Sequence, residues 1–259
     1  MDRVLLADGA IDLRCGRWQE VLADVTTCDA LICDPPYSAR THEGQRTGEY
    51  DGARRRGDIG YDAFTTDDVG HLVTSWAPRC LGWFLAMTSH DLVREYATAM
   101  EEGGRYVFAP LPWVNLGGPV RLSGDGPSSW TCWIVVSRPR TRDAAQWGTL
   151  PGAYVESNGS RQRAGNERAP GFMGAKPLGL MRAIVRDYTK PGDLVVDPFG
   201  GGGTTALACA IEGRRCITSE MDPATFAKAK KRLERGFTRD MLTSHMPKPR
   251  KAKQGDLIP

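Results

Sequence analysis

Nine consecutive residues, Asp197-Pro198-Phe199-Gly200-Gly201-Gly202-Gly203-Thr204-Thr205, constrain this chain more than any other stretch. The four residues before them, Asp193-Leu194-Val195-Val196, are short, apolar and β-branched, which predicts a buried strand. Ala206 to Glu212 predicts a helix, its start marked by the two threonines. A strand, a glycine-rich turn and a helix start together present bare backbone N–H groups and a positive dipole end. Four glycines remove the Cβ atoms that would hold a ligand away. An anionic or nucleoside-like ligand is expected there. The spacing Gly201-x-Gly203-x-x-Ala206, with Glu220 closing the next strand (Arg215 to Ser219), also fits the dinucleotide fingerprint. A purely structural turn would explain the glycines alone.

The 259 residues are 41% hydrophobic and 25% charged, which suits one large α/β domain or one domain with a small insert. No apolar run approaches the roughly 20 residues that span a bilayer, and Met1-Asp2-Arg3 does not open a signal peptide. A cytoplasmic location without membrane contact is expected. Seven cysteines at 15, 28, 33, 80, 132, 209 and 216 form no Cys-x-x-Cys pair, so no metal is expected. They read as small buried hydrophobes in a reducing compartment. The net charge is only +3, yet basic residues dominate from Lys228 onward. A basic disordered tail over 241–259 is expected, either simply solvated or following a polyanion.

Along the chain, Val4–Leu6 and Ile11–Cys15 flank the hairpin signal Asp8-Gly9. A short helix from Trp18 and the strand Ala30-Leu31-Ile32-Cys33 follow. Residues 38–66 are polar, glycine- and arginine-rich and aperiodic, so a mobile loop over the neighbouring site is expected. Helices over 69–77 and up to Glu102 alternate with strands over 83–87 and 105–109. Another β-rich run covers 130–137. The stretch 110–175 is otherwise rich in proline, glycine and polar residues. It is the room for a loop-rich substrate-reading insert, with Arg161, Arg163 and Arg168 suited to phosphates or to plain surface. Lys176-Pro177-Leu178 opens a helix to Tyr188, and Pro223 to Arg235 is the last helix. Residues 1–240 thus form one domain.

A second cluster, Asp34-Pro35-Pro36-Tyr37, ends the strand Ala30 to Cys33. Hydride transfer has no use for it. With the Lys176-Pro177 helix and the Asp197–Thr205 turn following in that order, the chain resembles the β arrangement of DNA amino-methyltransferases, the N6-adenine and N4-cytosine enzymes. The resemblance implies a Rossmann-like, mostly parallel twisted sheet with helices on both faces, in permuted order with the base-handling half first. It implies S-adenosyl-L-methionine as cofactor and double-stranded DNA as partner, in a monomer or a homodimer. Asp197, Pro198, Phe199, Gly200, Gly201, Gly202, Gly203, Thr204 and Thr205 would face the methionine portion, Lys176 its carboxylate, and Glu220 the ribose. Asp34 and the Pro35 carbonyl would accept the N–H bonds of an extruded base, Pro36 would stiffen the turn, and Tyr37 would stack.

Aspartate at the first tetrapeptide position resembles adenine enzymes more than cytosine ones. One departure is Gly16-Arg17, where the family commonly carries Gly-Asp. Asp8 or Asp12 would compensate, or the adenine end of the cofactor is held differently. A nicotinamide-dependent oxidoreductase and a non-catalytic DNA-binding protein on the same fold are the competing readings.

Overall fold

Successive side chains of the central strands point to opposite faces of the sheet, so neighbours in sequence face opposite helical layers. The computed structural model describes residues 2–39, 62–116, 127, 129–140, 147–157, 172 and 174–236. Most of the expected loop (40–61), the three arginines at 161, 163 and 168, and the tail 241–259 lie outside the described residues.

In chain order the elements are β1 (Arg3–Leu6), β2 (Ile11–Cys15), α1 (Trp18–Val21), β3 (Cys28–Cys33), α2 (Thr66–Trp76) and β4 (Cys80–Thr88). Next come α3 (Val93–Glu102), β5 (Arg105–Val107), β6 (Leu111–Leu116), β7 (Thr131–Pro139) and β8 (Tyr154–Ser157). The chain continues through α4 (Leu178–Tyr188), β9 (Leu194–Asp197), α5 (Thr204–Ile211), β10 (Arg215–Glu220) and α6 (Pro223–Gly236). Among the described residues all ten strands join one sheet in the order β1-β2-β10-β9-β3-β4-β7-β6-β8, with β5 also on β7.

The sheet is mixed. Its middle, β2-β10-β9-β3-β4, is parallel throughout. β1 and β7 are antiparallel to the strands beside them, and β8 lies parallel to β6. Ala30, Ile32, Leu85 and Val195 face Ile184, Leu207 and Leu233 of α4, α5 and α6. Leu31, Cys33, Phe84 and Val196 face Leu72, Trp76 and Tyr96 of α2 and α3. Burial on both faces is why these strands read as unbroken apolar runs.

Local chemistry sets the element ends. Thr65 caps α2 in a reciprocal box with Asp68, its hydroxyl accepting the Asp68 N–H at 3.2 Å. Asp222 accepts the Thr225 N–H at 2.8 Å ahead of Pro223, the first residue of α6. The first hairpin turns through Ala7, Asp8 and Gly9, all at positive φ.

Two strands had no sequence signal. Pro112 interrupts β6 and removes an N–H from the ladder, which argues against a strand on pattern alone. β8 is only four residues long. Pairing with β7 and with each other makes both strands, so part of the stretch 110–175 extends the main sheet.

β3 has β4 on one side and β9 on the other. From β3 the chain runs to β4, and it returns across the sheet only at β9. That reversal opens a crevice at the carboxyl ends of β3 and β9, where open α/β sheets take their ligands.

Candidate functional site

The two motifs singled out in the sequence sit at the carboxyl ends of β3 and β9, adjacent parallel strands. The glycine turn is built against β10. A Cβ on Gly200 would fall 2.4 Å from Thr218 Oγ1 and 3.0 Å from the Ser219 carbonyl oxygen. Gly200 N–H donates to that carbonyl at 2.7 Å, and Ser219 Oγ donates to the Pro198 carbonyl at 2.8 Å. Gly203 has φ 73°, and a Cβ there would meet Leu233 Cδ1 at 2.9 Å. Glycine is required at Gly203 for backbone freedom and for space alike. At Gly201 a Cβ would meet almost nothing, so the turn is open on that side.

The start of α5 differs from the expected threonine cap. Gly203 is the N-cap, without a side-chain bond, because a left-handed residue there turns the chain directly into the helix. Thr204 and Thr205 are therefore buried inside the first turn. Thr204 Oγ1 accepts from Arg232 at 3.1 Å, and the Thr205 hydroxyl bonds Asp197.

Three carboxylates share these strand ends. Glu220 accepts the Gly201 N–H at 3.0 Å and the Asp222 N–H at 2.8 Å. Burial pushes its carboxyl above the ordinary range, against the pull of those backbone donors. Asp197, 2% exposed, accepts the Phe199 N–H at 3.0 Å. Burial first, then the charges of Asp34 and Glu220, push its carboxyl from 3.8 up to about 7. The excess negative charge favours a cationic ligand.

That pKa has a consequence for stability. A carboxyl raised in the fold binds its proton there between pH 4 and 7, when the unfolded chain does not. Its contribution is therefore most favourable at acid pH and is lost as pH rises towards about 7. Asp197→Asn keeps an acceptor for Phe199 and should stabilise the protein by about 2–4 kcal/mol at pH 8, with little difference near pH 4. Denaturant melts of both proteins at the two pH values check this. Equal differences at both would assign the effect to packing.

The tetrapeptide is held from within the chain. Lys176 Nζ, on a residue 8% exposed, donates to Asp34 Oδ2 at 2.5 Å. Tyr37 donates its hydroxyl to Asp34 Oδ1 at 3.2 Å and lies 2.9 Å from Cys132 Sγ. Burial, then the neighbouring Asp34 charge, push the Tyr37 phenol well up. The Lys176 ammonium also stands over the rings of Tyr37 at 5.0 Å and Trp113 at 5.9 Å. Pro35 is buried and Pro36 half-buried. Lys176, read from the sequence as a partner for the cofactor's carboxylate, is thus placed on Asp34.

The chain returning from the loop is anchored at both motifs. Phe64 N–H donates to the Tyr37 carbonyl at 3.0 Å, and the Phe64 ring meets Phe199 edge-on at 5.6 Å. Sequence reasoning missed Phe64, Trp113 and Cys132. No motif marks them, and strand pairing brings Trp113 and Cys132 side by side.

Arg17 is exposed at the start of α1. Neither proposed substitute for an acid there is available. Asp12 is buried and bonded to both Arg3 and Arg14. Asp8 lies in the turn at the opposite end of β2, which runs parallel to β10. The carboxyl end of β2 instead meets β10 through Gly16 N–H, which donates to the Glu220 carbonyl at 2.9 Å.

Among the described residues no cluster of metal-ligating side chains occurs, and no helix is long and apolar enough to cross a membrane. All seven cysteines are free and six are buried.

A family model described as DNA methylase matches residues 123–231. The type II methyltransferase M.XycI of Xanthomonas campestris pv. cyanopsidis is 35% identical over 144 residues, 53% of this chain and 48% of the relative. M.Cfr9I of Citrobacter freundii is 28% identical over the same shares. The chain spans about half the length of these curated relatives. Its fold matches the crystal structure of an M1.HpyAVI–SAM complex with TM-score 0.62 and 21% identity, covering 86% of this chain and 99% of that one. The model over 123–231 and these relatives make the chain similar to DNA methylases over that region, and its fold is that of the M1.HpyAVI structure.

Proposed function

We propose that this protein transfers a methyl group from S-adenosylmethionine to the exocyclic amino group of a base in double-stranded DNA, adenine N6 in preference to cytosine N4. The observation that carries this reading is the meeting of Asp34 and the glycine turn at one reversal point of the sheet. A nicotinamide-dependent oxidoreductase would use the turn and Glu220 but leave the Asp34–Tyr37–Lys176 network without a task.

The residues fit the cofactor. The turn is open at Gly201, Glu220 keeps acceptor capacity beyond its two backbone bonds, and the acid trio suits a cation. When bound, S-adenosylmethionine supplies an electrophilic methyl group on a sulfonium. Glu220 would hold the ribose hydroxyls, and the backbone from Phe199 to Gly203 the methionine portion.

An amino group on a base is a poor nucleophile because its lone pair is delocalised into the ring. Asp34 and the Pro35 carbonyl accept its two N–H bonds, favouring a pyramidal nitrogen and the positive charge that grows on it. Of the two Asp34 oxygens, Oδ2 is held tightly by Lys176 and Oδ1 more loosely by Tyr37. Oδ1 is therefore the one that exchanges its partner for the base. As the new N–C bond formed, the S–CH3 bond of the sulfonium would break with its electron pair left on sulfur as a neutral thioether, and one N–H proton would pass to Asp34. Tyr37 offers a face for the extruded base, worth about 1–3 kcal/mol.

Adenine is preferred on the aspartate at position 34, by the resemblance of that tetrapeptide to adenine enzymes. The cytosine reading has its own support in the fold of a PvuII DNA methyltransferase described as cytosine-N4-specific, with TM-score 0.58 and 19% identity over 90% of each chain. Sequencing DNA from cells expressing the protein, with modified-base detection, decides. N6-methyladenine at a defined site is expected. N4-methylcytosine would replace the target base, and unmodified DNA with intact cofactor binding would favour a non-catalytic DNA-binding protein.

A further inference from the structure

Resting on the methyltransferase reading, we infer that Trp113 reads the target base, its indole N–H donating to the ring nitrogen adjacent to the amino group held by Asp34. Trp113 comes from β6, a strand with no part in either motif. Its residue is 6% exposed, and its Nε1 is buried with no hydrogen-bond partner among the described residues. A buried donor left unpaired is costly, and native chains keep few of them.

Position makes the donor relevant. The Trp113 and Tyr37 rings share the Lys176 ammonium, which is bonded to Asp34. Trp113 also pairs across the ladder with Cys132, whose sulfur lies 2.9 Å from the Tyr37 hydroxyl. Trp113, Cys132 and Tyr37 lie on the sheet face that carries α4 and α5. Lys176, whose ammonium stands 5.9 Å from the centre of the Trp113 ring, is a donor and cannot satisfy an indole N–H.

The chemistry of the two candidate bases matches this pair. In adenine N1 neighbours the N6 amino group, and in cytosine N3 neighbours the N4 amino group. Each presents a donor beside an acceptor. Asp34 takes the donor and Trp113 meets the acceptor. Guanine and thymine carry an N–H at the corresponding ring position, which would face the indole N–H donor to donor. The arrangement therefore admits amino-bearing bases with a bare ring nitrogen and rejects the other two.

The test is Trp113→Phe, which keeps the aromatic ring and removes only the N–H. On plasmid DNA, kcat/KM for methylation should fall about 3- to 10-fold. The dissociation constant for S-adenosylmethionine should stay within twofold, and Tm should hold or rise because an unpaired buried donor has gone. Synthetic duplexes carrying the mapped site supply a chemical partner to the mutation. Replacing the target adenine with 1-deazaadenine, or cytosine with 3-deazacytosine, should slow the wild type by a similar factor and leave the variant no slower than before. An active wild type with an unimpaired variant overturns this assignment alone. Additive losses from mutation and deaza base do the same, since the two groups would then not meet. A wild type that transfers no methyl group to any DNA overturns the underlying reading and this one with it.

Discussion

Asp34→Asn should lower kcat for methyl transfer about 100- to 1,000-fold, the usual cost of removing one group that stabilises developing charge. The carboxamide keeps the size of the side chain but can accept through one oxygen only. Lys176 would take that oxygen or lose its partner, because the ammonium and the base compete for the same group. Affinity for S-adenosylmethionine should change by no more than a few fold, since Asp34 follows β3 while the glycine turn follows β9. Single-turnover methylation and equilibrium cofactor binding on the same preparation separate the two effects. A variant that still methylates but no longer binds cofactor would move Asp34 from the base to the cofactor. Alanine is the poorer choice, because it strands a buried lysine without its counter-charge and confounds chemistry with folding.

Glu220→Gln is the second large effect expected. A carboxylate that accepts ribose hydroxyls is worth about 1.5–3 kcal/mol, so KM for S-adenosylmethionine should rise about 10- to 100-fold. DNA affinity should hold. Here the structure adds a cost that the motif does not show. Glu220 already accepts from Gly201 and Asp222, and an amide would turn an N–H towards one of those donors. A stability loss of about 1 kcal/mol should therefore accompany the kinetic defect. A stability loss with unchanged KM would leave Glu220 a residue that only shapes the turn.

Much of this fold was legible because its strands are short, apolar and bounded by turn residues. Asp34 and Asp197 were visible as the residues just beyond two such runs, and the glycines because few other residues fit the turn. β6 and β8 were not legible. Pro112 breaks the pattern of one, the other has four residues, and both exist through pairing partners distant in sequence. Trp113 and Cys132 stayed hidden for the same reason, since neither lies near a motif.

From sequence alone came the chemistry carried by contiguous residues: a glycine-rich turn after a buried strand, an acid ending the following strand, and a rigid tetrapeptide with a carboxylate first. These depend on local backbone geometry and neighbouring side chains, which a short stretch specifies. Tertiary structure decided the partnerships. Lys176 lies 142 residues from Asp34 and joins it only because α4 packs beside the crevice. The Asp197 carboxyl is an ordinary one in the sequence, and burial beside Asp34 and Glu220 raises it to about 7. Asp12, an open candidate in the sequence, is bonded to Arg3 and Arg14 in the folded chain. Charge interactions fall with distance and strengthen with burial, and neither quantity exists until the chain has folded.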